Sequence, residues 1–198
     1  MIWAYVFLFL ASFVMAAFEL PKWCFILVIL AFFIWIILTR IYPLAWEKNA
    51  EKTKKFLKKS RHPYYRFIYE LLYQDEEKAE NSLAEIKQNA VKEMAKVMLW
   101  TKQEKYEEAK STLSGMKNDD FKHYYTAVIA QKQGNLQEYA ASKSQLNDAA
   151  YLTWLEAEEK ALAGKKEEAL GIVEDQMKTL RGLKLLTAIH YKDELMGR

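Results

Sequence analysis

Apolar positions along the chain fall into two regimes. Ile2 to Phe18 is an uncharged apolar run and Trp23 to Leu38 is a second, separated only by Glu19-Leu20-Pro21-Lys22. From residue 63 onward, apolar residues return at spacings of three and four among charged ones, as they do on amphipathic helices. A helix that crosses a bilayer needs about 20 apolar residues, with about 17 as the lower limit. The first run is near that limit, and the second, extended to Tyr42, meets it, with Pro21 as the breaker between them. Trp3, Tyr5, Trp23, Trp35, Tyr42 and Trp46 flank the runs where interface anchors are enriched. The pattern predicts a two-helix transmembrane hairpin over residues 1–43. A cleaved signal peptide fits less well. The chain opens Met1-Ile2-Trp3 with no basic residue, and a second apolar run follows Ala16-Ala17 closely.

The amphipathic part repeats. Asp75-Glu76-Glu77-Lys78-Ala79, Lys105-Tyr106-Glu107-Glu108-Ala109, Asn135-Leu136-Gln137-Glu138-Tyr139 and Lys165-Lys166-Glu167-Glu168-Ala169 lie at steps of thirty residues. A fixed period in this range predicts stacked helix-turn-helix units, because one hairpin cannot bury its apolar stripe alone. Turns are predicted near Gln74, Glu104, Gly134 and Gly164. On the first helix of each unit runs the column Tyr64, Met94, Tyr124, Trp154; on the second run Ala79, Ala109, Tyr139, Ala169. Small residues in the latter column suit close helix approach. Lys143, Glu158 and Gln176 interrupt the apolar stripes. Leu183-Leu185-Leu186-Ile189 form a last stripe, predicting a capping helix over 183–196. The fold class is all-α: the hairpin, then an α-solenoid of about four units plus the cap.

Charge divides the chain further. Residues 44–61 carry seven Lys/Arg against two Glu, whereas residues 62–198 carry 20 Lys/Arg against 23 Asp/Glu. Residues 44–62 therefore form a basic collar, and residues 63–198 the repeat domain. Arg40, Lys48, Lys52, Lys54, Lys55, Lys58, Lys59 and Arg61 all follow the second span, which predicts a cytoplasmic repeat domain with Met1 on the same side. Lys-rich, Arg-poor usage fits a bacterial inner membrane. The collar predicts contact with anionic headgroups through Lys54, Lys55, Lys58 and Lys59. An acidic domain does not fit nucleic-acid binding. His62, His123 and His190 lack metal-motif spacing, and neither a phosphate loop nor a nucleophile elbow occurs. The recurrent Glu pairs sit at helix starts, where the helix dipole favours them. The lone Cys24 excludes an intrachain disulfide. No catalytic residue, cofactor, metal or small-molecule substrate is expected.

Lys102-Gln103-Glu104-Lys105-Tyr106-Glu107-Glu108-Ala109-Lys110 resembles the turn and second helix of a tetratricopeptide repeat. Gln133-Gly134-Asn135-Leu136 to Tyr139 and Ala163-Gly164-Lys165 to Leu170 resemble it too. The family's Ala stands at 79, 109 and 169, its Tyr at 106 only and its Gly at 134 and 164 only. The period is thirty where the family has about 34, and no Pro closes the units. The resemblance covers about residues 63–196, and the layout is similar to membrane-anchored tetratricopeptide scaffolds of bacterial envelopes. It implies a concave groove, lined by the first helices, that holds a peptide or a helix of a protein partner. Tyr69, Trp100, Tyr124 and Trp154 are the candidate contact residues on those helices. The expected function is a membrane-anchored scaffold or adaptor for protein–protein interaction. The alternative is an accessory or assembly subunit that docks through its transmembrane hairpin onto a larger membrane complex.

Overall fold

A computed structural model describes Phe9 and residues 21–197. The first apolar run, Ile2 to Phe18, and so the first arm of the expected hairpin, lies outside the described residues apart from Phe9. The described chain is all-helical. Helix α1 (Lys22–Ile36) continues through a π-helical turn (Ile37–Ile41) into α2 (Tyr42–Ala45). Within this stretch, Ile26–Ala45 is 20 residues long and apolar enough to cross a membrane. Trp23, Ile26, Leu27, Phe33 and Ile34 each expose more than half of their surface. Among the described residues, nothing covers these apolar side chains.

The collar is a separate short helix, α3 (Ala50–Lys59). Asn49 starts it: its side chain accepts from the amides of Glu51 and Lys52 at 3.0 and 3.3 Å. Thr53 and Leu57 are fully buried between the lysines. The Thr53 hydroxyl donates to the Pro43 carbonyl at 3.0 Å, which folds the collar back against the end of the apolar stretch. Burying Leu57 contributes about 2 kcal/mol. The collar is thus part of the helical domain's core as well as a run of charge.

Four helix pairs follow: α4 (Pro63–Tyr73) with α5 (Glu76–Glu85), and α6 (Asn89–Lys102) with α7 (Tyr106–Ser114). Then come α8 (Asp120–Lys132) with α9 (Leu136–Lys143), and α10 (Ala149–Leu162) with α11 (Lys166–Met177). The first helices of successive pairs, α4, α6, α8 and α10, lie side by side in that order. The last three turns share one geometry. The amides of Lys105, Asn135 and Lys165 reach back to the carbonyls of Trp100, Ala130 and Lys160 at 2.8, 2.8 and 2.9 Å. Glu104, Gly134 and Gly164 adopt left-handed φ of 59°, 72° and 74° to permit this. Ala79, Ala109 and Ala169 are fully buried at the crossings, so the small column does bring paired helices close.

The final helix, α12 (Gly182–Gly197), covers the predicted cap. It packs on α11 and also returns to α2 and α3 at the start of the domain. Leu186 shares a core with Leu57, Phe67 and Leu71, while Ala188 and Leu195 share another with Ala157, Ala169 and Val173. The chain therefore closes on itself: its last helix bridges the fourth pair and the collar.

Candidate functional site

Closure of the chain creates an interior bounded by three helices. Tyr124, Val128, Gln131 and Lys132 of α8, with Trp154, Leu155 and Glu158 of α10, form one wall of a cavity of about 230 Å³. Thr187, His190, Tyr191 and Glu194 of α12 form the other. The helical period explains the set. Positions 124, 128 and 131, like 187, 190, 191 and 194, recur every three or four residues and share one face of each helix.

Aromatic contacts fix the floor. Tyr124 stacks on Tyr151 at 4.4 Å between ring centroids and meets Trp154 edge-on at 6.0 Å. Burial raises the Tyr124 phenol, with the Tyr151 ring and the Glu158 carboxylate adding to the shift. Burial likewise pushes Tyr151 up to about 12. Burial is the main cause of the upward shift of Tyr125 as well, with the neighbouring tyrosines adding to it. These tyrosines stay neutral at any physiological pH.

Glu158 is the charged centre of the wall. Only 8% of it is exposed. Lys132 Nζ donates to its Oε1 at 3.1 Å, and the Tyr191 hydroxyl donates to its Oε2 at 2.6 Å. The residue that interrupts the apolar stripe thus ties α8, α10 and α12 together. The two other interruptions also make polar contacts. Lys143 pairs with Glu159 at 2.7 Å, and Gln176 Nε2 donates to the Ala150 carbonyl at 3.1 Å. Burial works against ionisation of Glu159, but hydrogen bonds from Lys143 and Tyr139 outweigh it and hold the carboxyl below its usual range. The indole N–H of Trp154 is buried and makes no hydrogen bond among the described residues. A buried unpaired donor costs about 1–3 kcal/mol.

The structure brings two of the four candidate contact residues together, Tyr124 and Trp154. Tyr69 packs in the first core beside Tyr73, at 5.8 Å between rings, and Tyr73 in turn meets His190 of the cavity wall at 5.7 Å. Trp100 stands apart, half-buried against the core cluster of Val97, Ala109, Leu113, Phe121 and Ile129, with Lys96 Nζ 5.9 Å from its ring centroid. Of the collar lysines, Lys54 turns inward, 4.0 Å above the Tyr73 ring, whereas Lys55, Lys58 and Lys59 are exposed. Glu158, His190 and Tyr191 were not legible as site residues. Their meeting depends on α12 returning across the interior, and Tyr191 lies 33 residues from Glu158 in sequence.

Ligand pockets for cofactors and drug-sized molecules occupy about 300–1,000 Å³. A space of about 230 Å³ suits one side chain or a few backbone atoms. Among the described residues, no group of three or more His, Cys, Asp or Glu side chains is placed to hold a metal ion. Compared with protein-family models, with curated proteins and with solved structures, the chain finds no match.

Proposed function

We propose that the chain is a membrane-anchored, tetratricopeptide-like scaffold that engages a protein partner at the cytoplasmic face of the membrane. The observation that carries this reading is the turn at Glu104, Gly134 and Gly164, one backbone geometry used three times at thirty-residue steps. It belongs to helix pairs placed side by side, and rows of such pairs present binding surfaces. The helix Ile26–Ala45 supports anchoring. The basic residues that follow it support an inner-face location. The small aromatic cavity supports a protein ligand that inserts one side chain. The chain carries out no reaction in this reading.

The test is site-specific photo-crosslinking of the full chain in native membranes. A crosslinker at Gln131, on the cavity rim, is compared with one at exposed Gln137 on the outer face of α9. A discrete partner captured from position 131 and absent from 137 supports the scaffold. Capture only from a third position, Ile34 on the apolar helix, would instead favour an accessory subunit docked through its membrane segment.

A further inference from the structure

A second hollow lies where the apolar helix meets the collar. It is lined by Arg40, Lys52, Lys55, Phe56, Lys59, Ser60 and Arg61 and encloses about 490 Å³, wide open to one side. We propose that it seats the phosphate of an anionic phospholipid headgroup. This rests on the membrane-anchored reading above and goes beyond it by assigning a defined lipid site.

Three features carry the assignment. The first is charge. Five cationic side chains converge, and among the described residues no carboxylate lines the hollow. Among the described residues, Arg40, Lys55, Lys59 and Arg61 form no ion pair, and Lys52 reaches only Glu47, at 3.9 Å. Bringing like charges together without a counter-charge is unfavourable, so the arrangement gains from an anion.

The second feature is construction. Positions 52, 55, 56 and 59 fall on one face of α3. That face is fixed from below: Phe56 packs toward the domain core, 6.0 Å from the Tyr65 ring, and Leu57 beside it is fully buried. Arg40 comes from the apolar helix, and Arg61 from the bend after the collar. Because Thr53 ties the collar back to Pro43, the far end of α3 lies alongside Arg40. A signal for topology alone needs basic residues near the span and no such three-sided arrangement.

The third feature is location. Arg40 is the only charged residue between Trp23 and Glu47, and its neighbours Ile37, Leu38 and Ile41 are exposed apolar side chains. The hollow therefore opens beside the surface that acyl chains would cover, at headgroup depth. A soluble phosphorylated ligand has no use for that apolar border. Lys54 points to Tyr73 and takes no part.

The experiment uses the full chain in nanodiscs and native mass spectrometry of the protein released from them. Discs hold phosphatidylcholine with a minor fraction of phosphatidylglycerol. The wild type is expected to retain phosphatidylglycerol in preference to phosphatidylcholine. Each cation lost from an anionic surface weakens attraction about fivefold, so Lys55→Ala/Lys59→Ala/Arg61→Ala should lose roughly a hundredfold of that preference. All three side chains are exposed, so the fold should persist, and unchanged melting would verify this. Lys87→Ala/Lys105→Ala/Lys117→Ala, an equal loss of charge outside the hollow, should behave as wild type. Equal retention of the two lipids by wild type, or equal loss in both variants, would overturn the lipid site while leaving the anchor standing. Displacement of the lipid by millimolar inorganic phosphate would overturn it in favour of a soluble anion. A chain that does not enter nanodiscs would overturn the anchor as well.

Discussion

The amide of Gly182 donates to the carbonyl of Glu47 at 2.7 Å, fastening the start of the last helix to the turn between apolar stretch and collar. The approach leaves no room for a side chain. Gly182 has φ of +54°, and a Cβ there would stand 1.9 Å from the Leu44 carbonyl oxygen and 2.8 Å from the Ala45 amide nitrogen. Both neighbours are backbone, which cannot rotate away. Gly182→Ala should therefore cost about 3 kcal/mol or more, combining left-handed strain with displacement of the α12 start. A thermal melt of the full chain in detergent checks this. A change below about 1 kcal/mol would show that α12 is not seated there.

The turn positions give a graded comparison. Gly134 and Gly164 are also left-handed, but a Cβ at either meets nothing within 4 Å. Gly164→Ala should cost only the backbone term, about 1 kcal/mol. Glu104 already carries that strain at φ 59°. Glu104→Gly should then stabilise the protein by about 0.5–1 kcal/mol, read as a rise in melting temperature.

Removing the Tyr191 hydroxyl should loosen the interior wall. In Tyr191→Phe, the nearly buried Glu158 loses a 2.6 Å donor, although Lys132 stays at 3.1 Å. A loss of about 1–2 kcal/mol is expected. Glu158→Gln in the same background should recover part of it, because a neutral amide tolerates burial better than a carboxylate with fewer partners. A double-mutant cycle by denaturant titration measures the coupling.

Alkali should destabilise the domain in a defined window. Burial raises Tyr151 to about 12 in the folded chain and is also the main cause of the rise of Tyr73 to about 12; both groups start from 10.0. Between about pH 10 and 12 the unfolded state releases these protons while the native state keeps them. The stability that the neutral phenols contribute is complete below pH 10 and is lost as pH rises toward 12. Absorbance at the tyrosinate band, followed with and without denaturant, should show a delayed fraction in the folded protein that shrinks in Tyr151→Phe.

Much of this architecture could be read from the chain because it is local. A thirty-residue step found the turns at 104, 134 and 164, since each depends on a helix end and a left-handed residue a few positions away. The first turn escaped the rule: Gln74 has φ of −124° and the second helix is capped instead by the Asp75 side chain, which accepts from the Lys78 amide at 2.8 Å. The collar reads as a basic segment against headgroups, and its part in the core is hidden because Thr53 and Leu57 are two buried positions among many lysines. Asn49, a good N-cap ahead of Glu51, was the available sign that a new helix starts there. What the chain could not disclose was closure. Gly182 meets Glu47, and Tyr191 meets Glu158, through the path of the whole domain. The cavity follows from that path, whereas the Arg40–Arg61 hollow follows from the shorter return of the collar through Thr53 to Pro43.

The central claim is a helical-repeat domain held at the inner face of a bilayer. It is tested by labelling one engineered cysteine at exposed Gln137, in a Cys24→Ser background, in sealed membrane vesicles of known sidedness. The account predicts that a membrane-impermeant maleimide modifies position 137 in inside-out vesicles and spares it in right-side-out ones, with the chain resisting extraction by alkaline carbonate. Labelling from the outer side, or release of the chain by carbonate, would contradict it.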